Sequence, residues 1–239
     1  KKPLVIHVHA TDFDRTGGSP NQAVYDIERE GMHAADNIIA VSNYTKKMVV
    51  KHYGIHPDKV EVVHNGVEFV QKEEDVFKSD DKVVLFLGRL TVTKNIDLLV
   101  QAVSLCKQQN FELILAGPDF GMLKTLKTLV KKLGIEDRVT FTGRVSESEK
   151  LQLLSEATIF VHPSLEDIFS LSLLEAVGVG IPSIAFGIEA NPEIFDNNCG
   201  LIVKGYDANS LANSIDYLLN NDAQRNIISK NAIRLIPQK

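Results

Sequence analysis

The sequence predicts an α/β protein built on parallel sheets with helices on both faces. Three observations lead there. Short apolar, β-branched runs recur along the chain. Segments with helical periodicity separate most of them, the alternation that parallel sheets require. The chain has 239 residues and a hydrophobic share of 44%, enough to bury a substantial core.

In chain order, LVIHVH (4–9) is expected to open the first sheet, followed by a helix over 21–35. NIIAVS (37–42) and VEVVH (60–64) are the next strands, with a helix over 43–53 between them. The charged segment VQKEEDVFKSDDK (70–82) lacks strong periodicity and reads as a linker. Beyond it come VVLFLG (83–88), ELILAG (112–117), VTFTG (139–143), TIFVHP (158–163), PSIAFG (182–187) and GLIVK (200–204). The intervening helices are expected over 94–109, 121–133, 147–155 and 170–179, with another over 207–220. Residues 83–239 thus hold about six strands, a complete doubly wound domain. Residues 1–69 hold three, few for an independent parallel domain, and are expected to be the C-terminal part of a lobe whose earlier strands lie outside this sequence. A final helix beyond the last residue is expected as well.

The formal net charge of −5 offers no global basic field for nucleic acid. Two cysteines, Cys106 and Cys199, have neither a disulfide framework nor metal-ligand spacing. No apolar run approaches the roughly 20 residues of a membrane span, and no signal peptide is recognisable. A cytoplasmic location is expected, with peripheral membrane contact left open. In GMLKTLKTLVKKLG (121–134), Met122, Leu126, Leu129 and Leu133 share one helical stripe and Lys124, Lys127 and Lys131 another. Such a helix suits an anionic membrane surface. Packing on a sheet is the favoured reading, because that packing needs the apolar stripe.

In open α/β sheets, ligands bind beyond the carboxyl ends of the strands. Strand 83–87 ends in GRLTVTKN, where Gly88 permits a tight turn and Arg89 and Lys94 can hold a diphosphate. Two solvated charges are the plain alternative. Strand 158–163 runs into SLEDIFSLSLLEA, with a helix starting near Ser170. The backbone amides of its first turn, around Phe169, Ser170 and Leu171, form a natural anion site. Glu175 lies a turn further in, too deep to cap the helix, and its apolar flanks argue against full exposure. A carboxylate there needs hydrogen-bond donors, which the hydroxyls of a ribose would supply. Asp167 suits hydrogen bonds from a sugar, or a helix cap.

The set GRLTVTKNIDLLVQAV, ELILAGP, DRVTFTGRVSESEKLQLLSEATIFVHPS and EDIFSLSLLEAVGVGIPSIA resembles the donor-binding domain of retaining family 4 glycosyltransferases of the GT-B fold. AADNIIAVSNYTKKMVVKHYGIHPDKVEVVHNGVE resembles the end of their acceptor-side domain. The resemblance implies two Rossmann-like lobes, the donor-binding lobe complete and the first one partial. It implies that Arg89 and Lys94 hold the donor diphosphate and stabilise its departure. Asp167 and Glu175 match the acids of the E-x7-E signature, the first meeting the donor sugar and the second the ribose. Ile168, Phe169, Ser170 and Leu171 match the loop whose amides meet the sugar and phosphates. Arg144 and Val145 match the segment bordering the base, and His9 matches the acceptor-domain histidine near the transferred sugar. The implied donor is a UDP- or GDP-sugar, a substrate rather than a cofactor, and the acceptor a carbohydrate or lipid-linked hydroxyl. The first acid is ordinarily Glu in an E-G-F-G context; here it is Asp167, followed by Ile168, Phe169 and Ser170.

His7 is expected to be packed inside its strand, while His64 and His162 stay open as strand-end residues. Asp12 and Asp14, in TDFDRTGG (11–18), form a D-x-D pair, which elsewhere can hold a divalent metal. Loop acids accepting hydrogen bonds are the favoured reading, and no metal is expected. The resulting expectation is a metal-independent hexosyl transfer from a nucleotide-diphospho-sugar with retained configuration. The alternatives are a GT-B-like nucleotide-sugar 2-epimerase and a non-catalytic nucleotide-sugar-binding subunit.

Overall fold

The computed structural model describes residues 2–67 and 82–234. The expected linker, 70–82, lies outside the described residues except for Lys82. The chain divides into two compact units. One comprises the described part of Lys1–Gly66 together with Asp167–Ser170; the other comprises the rest.

The first unit holds β1 (Val5–Val8), α1 (Asp12–Arg15), α2 (Gln22–Ala34), β2 (Asn37–Ala40), α3 (Asn43–Tyr53) and β3 (Val60–Val62). Its sheet has the order β1-β2-β3, all parallel. Val8, Ile38, Ala40, Val49, Tyr53 and Val60 form its core. Each main helix has a local start signal. Asn21 caps α2 by accepting from the Ala23 amide at 3.0 Å, and Ser42 caps α3 through the Thr45 amide at 2.9 Å. Gly54, at φ 67°, ends α3 in the left-handed conformation. The D-x-D segment is not an open loop: Asp12–Arg15 form a short helix whose Thr11 cap and Asp14 bond reciprocally.

The second unit holds β4 (Val83–Leu87), α4 (Ile96–Leu105), β5 (Glu112–Ala116), α5 (Leu123–Leu133), β6 (Val139–Gly143), α6 (Glu147–Glu156), β7 (Ile159–His162), α7 (Leu171–Gly178), β8 (Ser183–Phe186), α8 (Asn191–Ile194), β9 (Gly200–Val203), α9 (Ala208–Leu219) and α10 (Asp222–Arg234). Its six strands are parallel, in the order β6-β5-β4-β7-β8-β9. This is the Rossmann order 3-2-1-4-5-6, in which the strand order reverses between β4 and β7. The central strands are buried on both faces, which is why VVLFL and IFVH read as nearly continuous apolar runs. Val84, Phe86, Leu113, Leu115, Ile159 and Val161 pack against Leu99, Val103, Leu126, Ile215 and Leu218. α5 buries Leu126 and Val130 against this core and leaves Lys124, Lys127 and Lys131 exposed, the sheet-packing arrangement expected of it.

All nine expected strands form. The alternation yields two parallel α/β units, a six-stranded one in Rossmann order and a three-stranded one, in keeping with the expected α/β class and partial first lobe. No described helix is long and apolar enough to cross a membrane.

Candidate functional site

Three neighbouring strands, β4, β5 and β6, run into glycine: Gly88, Gly117 and Gly143. Their backbones are closely packed. The Gly88 amide donates to the Ala116 carbonyl at 3.0 Å, and the Gly117 amide to the Gly143 carbonyl at 2.9 Å. Gly117 has φ 145°, and a Cβ there would lie 1.9 Å from the Gly88 carbonyl oxygen. Beyond Gly88 the buried Leu90 pins the loop, with its amide on the Pro118 carbonyl and its carbonyl on the Phe120 amide. Arg89 is thereby left at the surface, its guanidinium 5.4 Å from the centre of the Phe120 ring.

Lys94, half-buried, closes a single 3₁₀ turn. Asn95 follows in the left-handed conformation, at φ 53°. Its side-chain amide donates to the Pro163 carbonyl at 3.1 Å, and the Ser164 hydroxyl donates to the Thr93 carbonyl at 3.4 Å. These bonds tie the loop after β4 to the loop after β7. They lie where the strand order reverses, the position at which open α/β sheets bind ligands. Neither Asn95 nor Ser164 was singled out from sequence. The left-handed turn between Lys94 and α4 was the available signal, since Asn is among the few residues other than Gly that adopt it readily.

At the end of β6, Arg144 is exposed and Val145 half-buried, just before α6. Ser146 caps that helix in a reciprocal box with Glu149, whose carboxyl is held below its usual range by those hydrogen bonds. One residue further, Lys150 reaches from α6 to α7. Its Nζ lies 2.8 Å from Glu175 Oε1 and 2.7 Å from Glu147 Oε1. The side chains of Lys150 and Glu175 are only 20% and 25% exposed, whereas that of Glu147 is 75% exposed. Burial pushes the Lys150 ammonium down, but its bonds to Glu147 and Glu175 outweigh this, and its pKa stands above the usual lysine range.

Glu175 is therefore no exposed helix charge. A carboxylate at this depth needs donors, and besides any ligand hydroxyl the fold itself supplies one in Lys150. No hydrogen bond to Glu175 Oε2 is found among the described residues. Lys150 was missed because it lies 25 residues away on another helix, where no spacing rule applies.

Asp167, Ile168 and Phe169 are half-buried and Ser170 is buried. This stretch groups with the first unit, in which the Phe169 ring faces His64 at 5.9 Å. Leu171, 49% exposed, opens α7 in the second unit. His9 is exposed just past β1, its ring 4.1 Å from that of His7. His7, expected to be packed, is exposed among the described residues: it shares with Val5 the face of β1 that no described residue covers. Slight burial and the neighbouring His9 lower the pKa of His7. His162 is buried.

The D-x-D acids are engaged locally. Asp14 accepts from the Thr11 amide and hydroxyl at 3.0 and 2.7 Å, and Asp12 accepts from the Asn21 amide at 2.7 Å. Glu28 accepts from the Asp12 amide and from the Tyr53 hydroxyl, whose pKa burial and Glu28 push up to about 12. Among the described residues no cluster of three or more His, Cys, Asp or Glu could hold a metal ion.

Comparison with known proteins identifies the family and the fold. The model for glycosyl transferases group 1 matches residues 68–235, and that for glycosyltransferase family 4 matches residues 1–70. An uncharacterized glycosyltransferase of Methanocaldococcus jannaschii is 28% identical over 257 residues, covering 100% of this chain and 66% of its own length. A D-inositol 3-phosphate glycosyltransferase of a Nocardioides species is 28% identical, covering 97% of this chain and 57% of its own. The chain thus spans less than two thirds of these relatives. Among solved structures, Anabaena HepE in complex with UDP superposes with a TM-score of 0.86 at 23% identity, over 98% of this chain and 67% of that one. Sucrose-phosphate synthase from Thermosynechococcus elongatus gives 0.84 at 23% identity, over 96% and 62%.

Proposed function

The chain belongs to the glycosyl transferases group 1 family, and we propose that it forms the donor-binding part of an enzyme moving a hexose from a nucleotide-diphospho-sugar to an acceptor hydroxyl with retained anomeric configuration. The observation that carries this reading is the meeting of two loops at the reversal of strand order. One brings Arg89 and Lys94; the other leads into the helix that bears Glu175.

The chemistry needs little more from the protein than charge in the right place. As the bond between anomeric carbon and phosphate breaks, negative charge grows on the diphosphate. Arg89, Lys94 and the positive end of α7 favour that charge on the leaving group. The departing phosphate takes the proton of the acceptor hydroxyl on the same face, so no carboxylate is required as a covalent nucleophile. Glu175 accepts from the ribose hydroxyls, and Asp167 from the donor sugar. Ile168, Phe169, Ser170 and Leu171 contribute backbone contacts to sugar and phosphate, Arg144 and Val145 border the base, and His9 serves the acceptor side. With two cations and a helix terminus facing the diphosphate, the reaction proceeds without a divalent metal. HepE was crystallised with UDP and with UDP-glucose, which supports a UDP-sugar donor here.

The test is a thermal-shift screen of UDP-, GDP- and ADP-sugars on the full-length protein. One class should raise Tm by mass action, and Glu175→Ala should remove most of that rise. Turnover should survive EDTA, and proton NMR of the product should show the donor's anomeric configuration. Equal stabilisation of wild type and Glu175→Ala overturns the ribose assignment. Donor binding without turnover across a broad acceptor panel leaves a binding subunit instead.

A further inference from the structure

We propose that Lys150 is a positioning residue: it holds Glu175 by one carboxylate oxygen so that the other is presented to the pentose of the bound nucleotide. This rests on the assignment of Glu175 to the ribose and extends it to a residue on a different helix.

The geometry separates Lys150 from an ordinary surface ion pair. Surface pairs contribute little, because two long side chains must be ordered in high dielectric. Here both partners are mostly buried, and the bond joins α6 to α7 across 25 residues of sequence. Glu has three side-chain torsions, and a short charge-assisted bond at Oε1 restricts all of them. Nothing among the described residues competes for Oε2, so its acceptor capacity stays available. A carboxylate already oriented does not lose that freedom when the nucleotide binds, which is where preorganisation gains affinity.

The third member of the cluster fits the same role. Lys150 carries one positive charge between two carboxylates, Glu147 and Glu175. The trio therefore keeps one net negative charge, and Glu175 is not fully neutralised as an acceptor. At the same time the ammonium offsets part of the repulsion a bare carboxylate would exert on a diphosphate bound nearby. Glu147, largely exposed, acts on the ammonium and not on the ligand.

The experiment measures how strongly the full-length protein prefers a ribonucleotide to its 2′-deoxy counterpart. Calorimetric Kd values for UDP against dUDP, and for GDP against dGDP, are compared in wild type, Lys150→Met, Lys150→Arg, Glu147→Gln and Glu175→Gln. Wild type is expected to prefer the ribonucleotide of its own base by about tenfold, the worth of one hydrogen bond to a charged group. Lys150→Met should reduce that preference to near unity while changing deoxynucleotide binding little. Lys150→Arg should restore most of it, and Glu147→Gln should leave it intact. A merely structural staple would lower Tm and weaken both nucleotides alike, which overturns the proposal. If Glu175→Gln loses the preference and Lys150→Met keeps it, Glu175 reads the pentose unaided and Lys150 has no part. If wild type shows no preference, or Glu175→Gln retains it, the ribose assignment itself fails. Should Lys150→Met not fold, Lys150→Gln carries the same comparison.

Discussion

A Cβ at Gly117 would sit 1.9 Å from the Gly88 carbonyl oxygen, a distance no side-chain rotation can relieve. The positive φ adds its own strain to any other residue. Gly117→Ala is expected to destabilise the protein by on the order of 2 kcal/mol or more and to displace the loop bearing Arg89. Gly66→Ala, which meets nothing within 4 Å, should stay within about 0.5 kcal/mol of wild type. Urea unfolding and nucleotide Kd measured on both variants check the pair. The two cysteines follow a different logic. Burial pushes Cys106 up to about 12 and Cys199 up to about 11, so neither forms much thiolate near neutral pH. Native protein should resist a thiol-specific reagent, and unfolded protein should react at both positions. Rapid labelling of the native state would contradict that burial.

At the scale of elements, α4 and α5 begin differently: Asn95 makes no side-chain cap bond to α4, whereas an acid closes the start of α5. Asp119 accepts from the amides of Gly121, Met122 and Leu123 at 2.8, 2.9 and 3.0 Å. The start of α5 is thus closed by its own acid and offers no anion site, despite the lysines along that helix. Those three bonds lower the Asp119 pKa in the folded state. Its contribution is therefore present above the ordinary aspartate pKa and is lost as pH falls through the depressed folded value. Asp119→Asn should flatten that part of the acid limb of a Tm-against-pH curve. In α4, Leu99 is fully buried against the sheet, and Leu99→Ala should cost about 3 kcal/mol by denaturant unfolding. α10 escaped the sequence reading for a definite reason. Its buried positions are Arg225, Ile228 and Ala232, a stripe that begins with a charge. Arg225 donates to the Leu218 and Leu219 carbonyls at 2.6 and 3.0 Å and closes the end of α9. Arg225→Met leaves those carbonyls without this donor, and a loss on the order of 2 kcal/mol is expected in the same unfolding assay.

For the whole molecule, the strand order of the second unit decides which loops can act together. β4 and β7 are far apart in sequence but adjacent in the sheet, and Thr93, Asn95, Pro163 and Ser164 join their loops. Nucleotide binding there should slow amide hydrogen exchange in the segments 88–95, 144–150 and 163–175 together. It should leave the far edge of the sheet, β9, near its unliganded rates. Protection confined to β8 and β9 would place the nucleotide elsewhere.

Sequence alone determined the nine strands, most of the helices and the strand-ending residues from which the site is argued. Those features follow from runs such as VVLFLG and LKTLKTLVKKL, where the spacing of apolar side chains records burial within a few residues of chain. Tertiary structure alone decided that Lys150 meets Glu175, that Asn95 meets Pro163, and that β4 lies beside β7. Each of these depends on which strand lies beside which, set by contacts between residues distant along the chain, and such contacts leave no period for a sequence to display.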